Sequence, residues 1–117
     1  MAEYTVNRRA ITHARALIIA GQVVLRSDWG EVRPTATREN EFLEDHTWGE
    51  FGAWHLGLVV GATPRTKSRY GFGFGDFEKV HRAGLLACQY RAAEWRHRDL
   101  EGAVTKLLRY LDRHADK

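Results

Sequence analysis

Apolar residues recur at three- and four-residue steps over much of this chain, the spacing that draws a stripe down one helix face. The longest such run is Tyr70, Phe74, Phe77, His81, Gly84, Cys88, Arg91 and Trp95. Thr63-Pro64 stands ahead of it, with threonine suited to capping free amides and proline to the first helical position. The spacing predicts one long helix over 64–97. Gly71, Gly73 and Gly75 interrupt it, each at a cost of about 1 kcal/mol relative to alanine inside a helix. Either the helix breaks there or packing by Tyr70, Phe74 and Phe77 carries it through.

Shorter runs fill the rest. Asn7 can cap a helix over 8–25, with Ile11, Ala14, Ile18 and Leu25 on one line. His13, beside Ala14 and Leu17, reads as a buried, hydrogen-bonded histidine. Ser27-Asp28-Trp29-Gly30 is a turn signal. Thr35 or Thr37 starts a helix to about His46, with Phe42 and Leu43 inward. Thr47 with Glu50 matches a capping box and predicts a helix to about Val60 through Phe51, Trp54, His55 and Leu58. Trp54, Leu56, Leu58 and Val60 also alternate, which is the strand alternative. Asp99 caps a last helix over 100–114. The expected fold is therefore all-α: one domain over 1–117, an irregular four- to five-helix bundle around the 8–25 helix and the long 64–97 helix. Unbroken, the long helix would measure about 50 Å, against a radius of gyration of about 13 Å for a domain of this size. It would overhang its globule, so a homodimer through that helix is expected.

Composition narrows the setting. The 117 residues are 44% hydrophobic and 28% charged, as in an ordinary globular domain. The single cysteine, Cys88, excludes an internal disulfide framework and a cysteine-rich zinc site, and fits a reducing compartment. The apolar run 16–25 is too short for a membrane span, and no cleavage pattern follows it. A cytoplasmic protein without membrane contact is expected.

Net charge is +3 and unevenly spread. Residues 31–60 carry two basic and six acidic groups, whereas 61–98 carry eight basic and three acidic. The basic block suggests an anionic partner, nucleic acid or an acidic protein surface; pairing of the two blocks within or between chains is the structural alternative. Arg65, Lys67, Arg69, Arg82, Arg96 and Arg98 would make the contacts. Glu78 and Glu94 stand four residues before Arg82 and Arg98, the favourable order for helix pairs.

Candidate chemistry is sparse. The Gly71–Gly75 run lacks the lysine and hydroxyl of a phosphate loop. Glu78-x-x-His81 and Glu94-x-x-His97 match the spacing of di-iron bundles, but lie about 24 Å apart on one helix and cannot share a metal. His46, His55 and His81 could converge in a pocket walled by Trp48, Trp54 and Phe77, giving a small histidine-based enzyme or an open zinc site. No fixed spacing supports the metal. Cys88 sits among Gly84, Ala87 and Ala92 and reads as close packing. The favoured reading is a binding or assembly module without catalytic residues or cofactor; the histidine pocket and a self-assembling subunit are the alternatives.

The segments Ser27-Asp-Trp-Gly-Glu31, Trp54-His-Leu-Gly57 and Tyr90-Arg-Ala-Ala-Glu-Trp-Arg-His97 resemble a group of short, uncharacterised bacterial proteins. No activity is attached to that group. The resemblance implies only a stand-alone small protein, with no catalytic residues carried over.

Overall fold

The computed structural model describes residues 2–115. It is a mixed α/β structure, which corrects the expected all-α bundle. Strand β1 (Tyr4–Val6) leads into helix α1 (Arg8–Ile19), strand β2 (Val23–Val24) and a single turn of helix α2 (Trp29–Val32). Helices α3 (Ala36–Asp45) and α4 (Trp48–Gly52) follow, then strand β3 (His55–Val59). Strands β4 (Tyr70–Gly73) and β5 (Val80–His81) precede the closing helices α5 (Arg82–Glu94) and α6 (Arg98–Ala115).

The long 64–97 helix does not form. Its residues make a 3-10 turn at Lys67–Arg69, β4, β5 and α5. Sheet order is β1-β3-β4, antiparallel throughout, and β2 pairs with β5 in parallel. The Gly/Phe alternation explains the strand. An added Cβ on Gly71 would lie 2.7 Å from Cε1 of Tyr4. The bare glycine lets the Tyr4 ring lie across the sheet and meet Phe72 edge-on at 4.9 Å. Phe72 itself has φ +61° inside β4, a left-handed conformation that costs a residue with a Cβ free energy.

Helix 47–60 is corrected too. The Thr47–Glu50 capping box forms, but α4 is one short turn, and the alternating Leu56 and Leu58 belong to β3. Helix α1 stops at Ile19 rather than Leu25, because Gly21 takes φ +76°. The Gly21 amide then donates to Ile18 and the Gln22 amide to Leu17, a closed C-terminal motif that ends the helix.

Helices α5 and α6 form an antiparallel hairpin joined by Arg82–Asp112 and Gln89–Thr105. Helix α6 buries Leu100, Val104, Leu107, Leu108 and Leu111. Its first turn holds Asp99 and Glu101 and its last turn Arg113 and His114, the placement that suits the helix dipole. The core runs from Ala10 and Ala14 through Phe51, Leu56 and Phe74 to Leu85 and α6. The radius of gyration is 13.3 Å, that of a compact domain this long, so nothing overhangs. Among the described residues no helix is long and apolar enough to cross a membrane.

Candidate functional site

Strand β4 is an edge strand, and α2 with the following Arg33-Pro34 turn stands opposite it. Between them lies a cleft of about 300 Å³ lined by Trp29, Arg33, Glu39, Trp54, His55, Tyr70, Phe77 and the Gly71–Gly75 backbone. His55, at the start of β3, is only 8% exposed. Its Nδ1–H donates to the Phe51 carbonyl at 2.9 Å, which fixes the tautomer and leaves a lone pair on Nε2. That nitrogen has no partner among the described residues. Burial pushes the imidazole down to about 4, against a smaller opposing effect of the Phe51 hydrogen bond. His55 is therefore neutral at pH 7: an acceptor, and too weak a base to carry much proton transfer.

The cleft is edged by charge. Glu39 is paired with Lys67 Nζ at 3.4 Å. Arg33 makes no ion pair among the described residues, so it is the uncompensated charge. The Arg38 guanidinium sits 5.6 Å from the Phe77 ring centre.

Beside the cleft a chain of polar side chains ties two loops to strand β5. His81, 3% exposed, bonds Asp76 Oδ2 through Nε2 at 2.8 Å and Ser27 Oγ through Nδ1 at 2.9 Å. Asp76 Oδ1 accepts the amides of Glu78 and Lys79 at 2.9 and 2.7 Å. Burial alone would raise the Asp76 carboxyl. The hydrogen bonds from His81, Lys79 and Glu78 outweigh it and hold the group below its usual range. An ionised Asp76 can only accept, so His81 carries a proton on Nε2; in the neutral ring, Nδ1 is then the acceptor for the Ser27 hydroxyl. Trp29 tilts against the His81 ring at 5.8 Å.

The sequence-predicted pocket is thus divided. Trp54, His55 and Phe77 line the cleft. His46 lines a second depression of about 710 Å³ with His13, Trp54 and Phe77. There His46 stacks flat on Phe42 at 3.8 Å and bonds the Phe42 carbonyl. Trp48 packs edge-on against Phe51 at 5.6 Å, away from both. His81 belongs to the Ser27–Asp76 chain. Among the described residues no three His, Cys, Asp or Glu side chains are grouped to hold a metal ion. His13 differs from its reading: its Nε2 is buried without a hydrogen-bond partner, and its ring meets Trp54 edge-on at 4.9 Å.

The six sequence-nominated cations are scattered in role. Lys67 pairs with Glu39, Arg69 reaches the Val59 carbonyl at 2.6 Å, and Arg82 grips Asp112 at 2.9 Å instead of Glu78. Arg65, Arg96 and Arg98 are exposed. A different basic surface appears between α1 and α6. Two adjoining depressions share Arg15 and Lys106 and add Arg8, Arg98, Arg109 and Arg113, against Asp99 and the Arg82-paired Asp112.

Sequence reasoning missed Ser27, Arg33, Glu39, Tyr70 and Asp76 as site residues. Asp76 before Glu78-Lys79 had a turn signal, but nothing ties it to Ser27 along the chain. Comparison with protein-family models, with curated proteins and with solved structures gives no match.

Proposed function

We propose that the protein binds a small, planar organic anion in the cleft between β4 and α2. One observation carries this reading: His55 presents an Nε2 lone pair, without a partner among the described residues, to a cleft in which Arg33 is the uncompensated charge. A donor on a ligand can meet that lone pair, a hydrogen bond worth about 1 kcal/mol net. Trp29, Trp54, Tyr70 and Phe77 supply aromatic walls for a flat molecule. The ligand class is then an aromatic or heteroaromatic carboxylate with an O–H or N–H donor at its far end. A small-molecule anion here takes the place of the nucleic acid or acidic protein surface suggested by the basic block.

The test compares 4-hydroxybenzoate with benzoate, which lacks the donor, and phenol, which lacks the charge. Binding is followed by the nitrogen resonances of His55 and by tryptophan fluorescence. The hydroxy acid should bind about fivefold to tenfold more tightly than either relative, and the difference from benzoate should vanish in His55→Phe. If none of the three moves the His55 signals at millimolar concentration, the reading is wrong.

The α1–α6 surface favours a second reading, in which single-stranded nucleic acid lies along the groove. Arg98 to Arg113 spans about 22 Å of helix, enough for several phosphates, and Arg15 lies 4.7 Å over Tyr110. Oligonucleotide affinity should fall steeply with salt and drop in Arg15→Glu/Lys106→Glu. Affinity that is flat in salt rejects it.

A further inference from the structure

We propose that Ser27 is an activated nucleophile, and that Ser27, His81 and Asp76 form an acyl-transfer site on activated esters. The claim goes beyond ligand binding in the cleft and stands on different atoms. Its ground is the connectivity. A hydroxyl, an imidazole and a carboxylate lie in one line at 2.9 and 2.8 Å, with the hydroxyl and the carboxylate on opposite ring nitrogens. That is the arrangement in which imidazole takes a hydroxyl proton while a carboxylate steadies the imidazolium that results. Here the ring is used with serine on Nδ1 and aspartate on Nε2, which leaves the chemistry of each nitrogen unchanged.

A purely structural role would explain a buried histidine with two partners. It would not require that both be of these types. Asp76 is already satisfied through Oδ1 by two backbone amides and spends its other oxygen on His81. The Nδ1 of His81 meets a hydroxyl, whereas the Nδ1–H groups of His46, His55 and His114 donate to backbone carbonyls. Burial is graded too: the ring is 3% exposed, whereas Ser27, on its Nδ1 side, is half-buried at the turn between β2 and α2. Two residues on, Trp29 forms one wall of the cleft.

In the reaction, Ser27 Oγ bonds to the acyl carbon as its proton passes to His81 Nδ1. The ester C–O bond breaks, and the leaving alkoxide or phenolate takes that proton from His81. Water, deprotonated by the same nitrogen, then attacks the acyl-serine, releasing the carboxylic acid and restoring the hydroxyl. No oxidant, metal or cofactor enters the balance.

A fluorophosphonate probe tests the first step without a known substrate: the P–O bond to serine forms, P–F breaks, and the proton leaves with fluoride. Intact-mass and peptide analysis should find one adduct, on Ser27, absent in Ser27→Ala. Asp76→Asn keeps an acceptor for the Glu78 and Lys79 amides but removes the charge; labelling should slow roughly a hundredfold with the circular dichroism unchanged. Ser27→Cys guards against a misfolded alanine variant: its thiol should alkylate with iodoacetamide at neutral pH. No adduct on folded wild type, an adduct on another residue, or an unchanged rate in folded Asp76→Asn overturns the proposal. None of these results depends on whether 4-hydroxybenzoate occupies the cleft.

Discussion

Three buried groups behave differently because their partners differ. His55 and His81 are both nearly closed to solvent, yet His81 meets a carboxylate and a hydroxyl whereas His55 meets one carbonyl and a cleft. Cys88 meets the Gly73 carbonyl at 3.3 Å. Burial pushes its thiol up to about 12, and Arg91 opposes this only weakly. Reactivity needs the thiolate, so native protein at pH 8 should leave a disulfide reagent such as DTNB unconsumed, and one thiol should titrate after denaturation. Rapid titration of folded protein would contradict the packing. Cys88 was legible in the sequence, since small neighbours mean close approach. The Ser27–His81–Asp76 chain was not, because 54 residues separate serine from histidine and no spacing rule spans two loops.

At the scale of elements, the glycines of the 71–75 run decide the topology. Gly75 abuts the Trp54 ring, and an added Cβ would also stand 2.7 Å from the Lys79 carbonyl. A backbone carbonyl cannot swing aside as a side-chain end can, so Gly75→Ala should destabilise by about 2–3 kcal/mol and open the cleft floor. The α5 terminus gives the opposite sign. Arg96 takes φ +59° between an amide bond to Ala93 and the next residue's bond to Ala92, a position suited to glycine. Arg96→Gly should raise stability by about 0.5–1 kcal/mol. Both are read from urea midpoints. These residues also show where the sequence misled. Residues Gly84, Cys88 and Trp95 continue the three-and-four spacing of Tyr70, Phe74 and Phe77 across two strands, so one apparent stripe joined unrelated elements. With 70–73 assigned to a helix, the alternating Trp54–Val60 stretch has no visible partner strand and reads as a helix as well. The period-two glycines and the single-residue alternation were the correct signals. The Thr47–Glu50 capping box and the 100–114 helical pattern needed no tertiary information, although α6 begins at Arg98 and holds Asp99 in its first turn rather than as its cap.

For the whole molecule, the breaking of the 64–97 segment removes the reason for expecting assembly through an overhanging helix and leaves acid stability as the informative global property. His55 binds a proton at about 4 when folded and near 6.5 when unfolded. Its native contribution is therefore fully present above pH 6.5 and is lost as pH falls towards 4, because the unfolded chain protonates first. That difference corresponds to about 3 kcal/mol, a large share of the stability of a small domain. His13 is lowered in the same direction, chiefly by burial and then by Arg9. The carboxylates of Asp76 and Asp112 are held below their usual range mainly where hydrogen bonds from His81 and Arg82 outweigh burial, so their contributions fail only below about pH 4. The two groups of residues thus occupy separate windows. The urea midpoint should fall between pH 6.5 and 4.5 in wild type, and His55→Phe should flatten most of that slope while leaving the decline below pH 4. A wild-type midpoint constant across the upper window would mean that His55 is protonated in the folded state. It would remove at once the stability argument and the neutral acceptor on which ligand binding in the cleft depends.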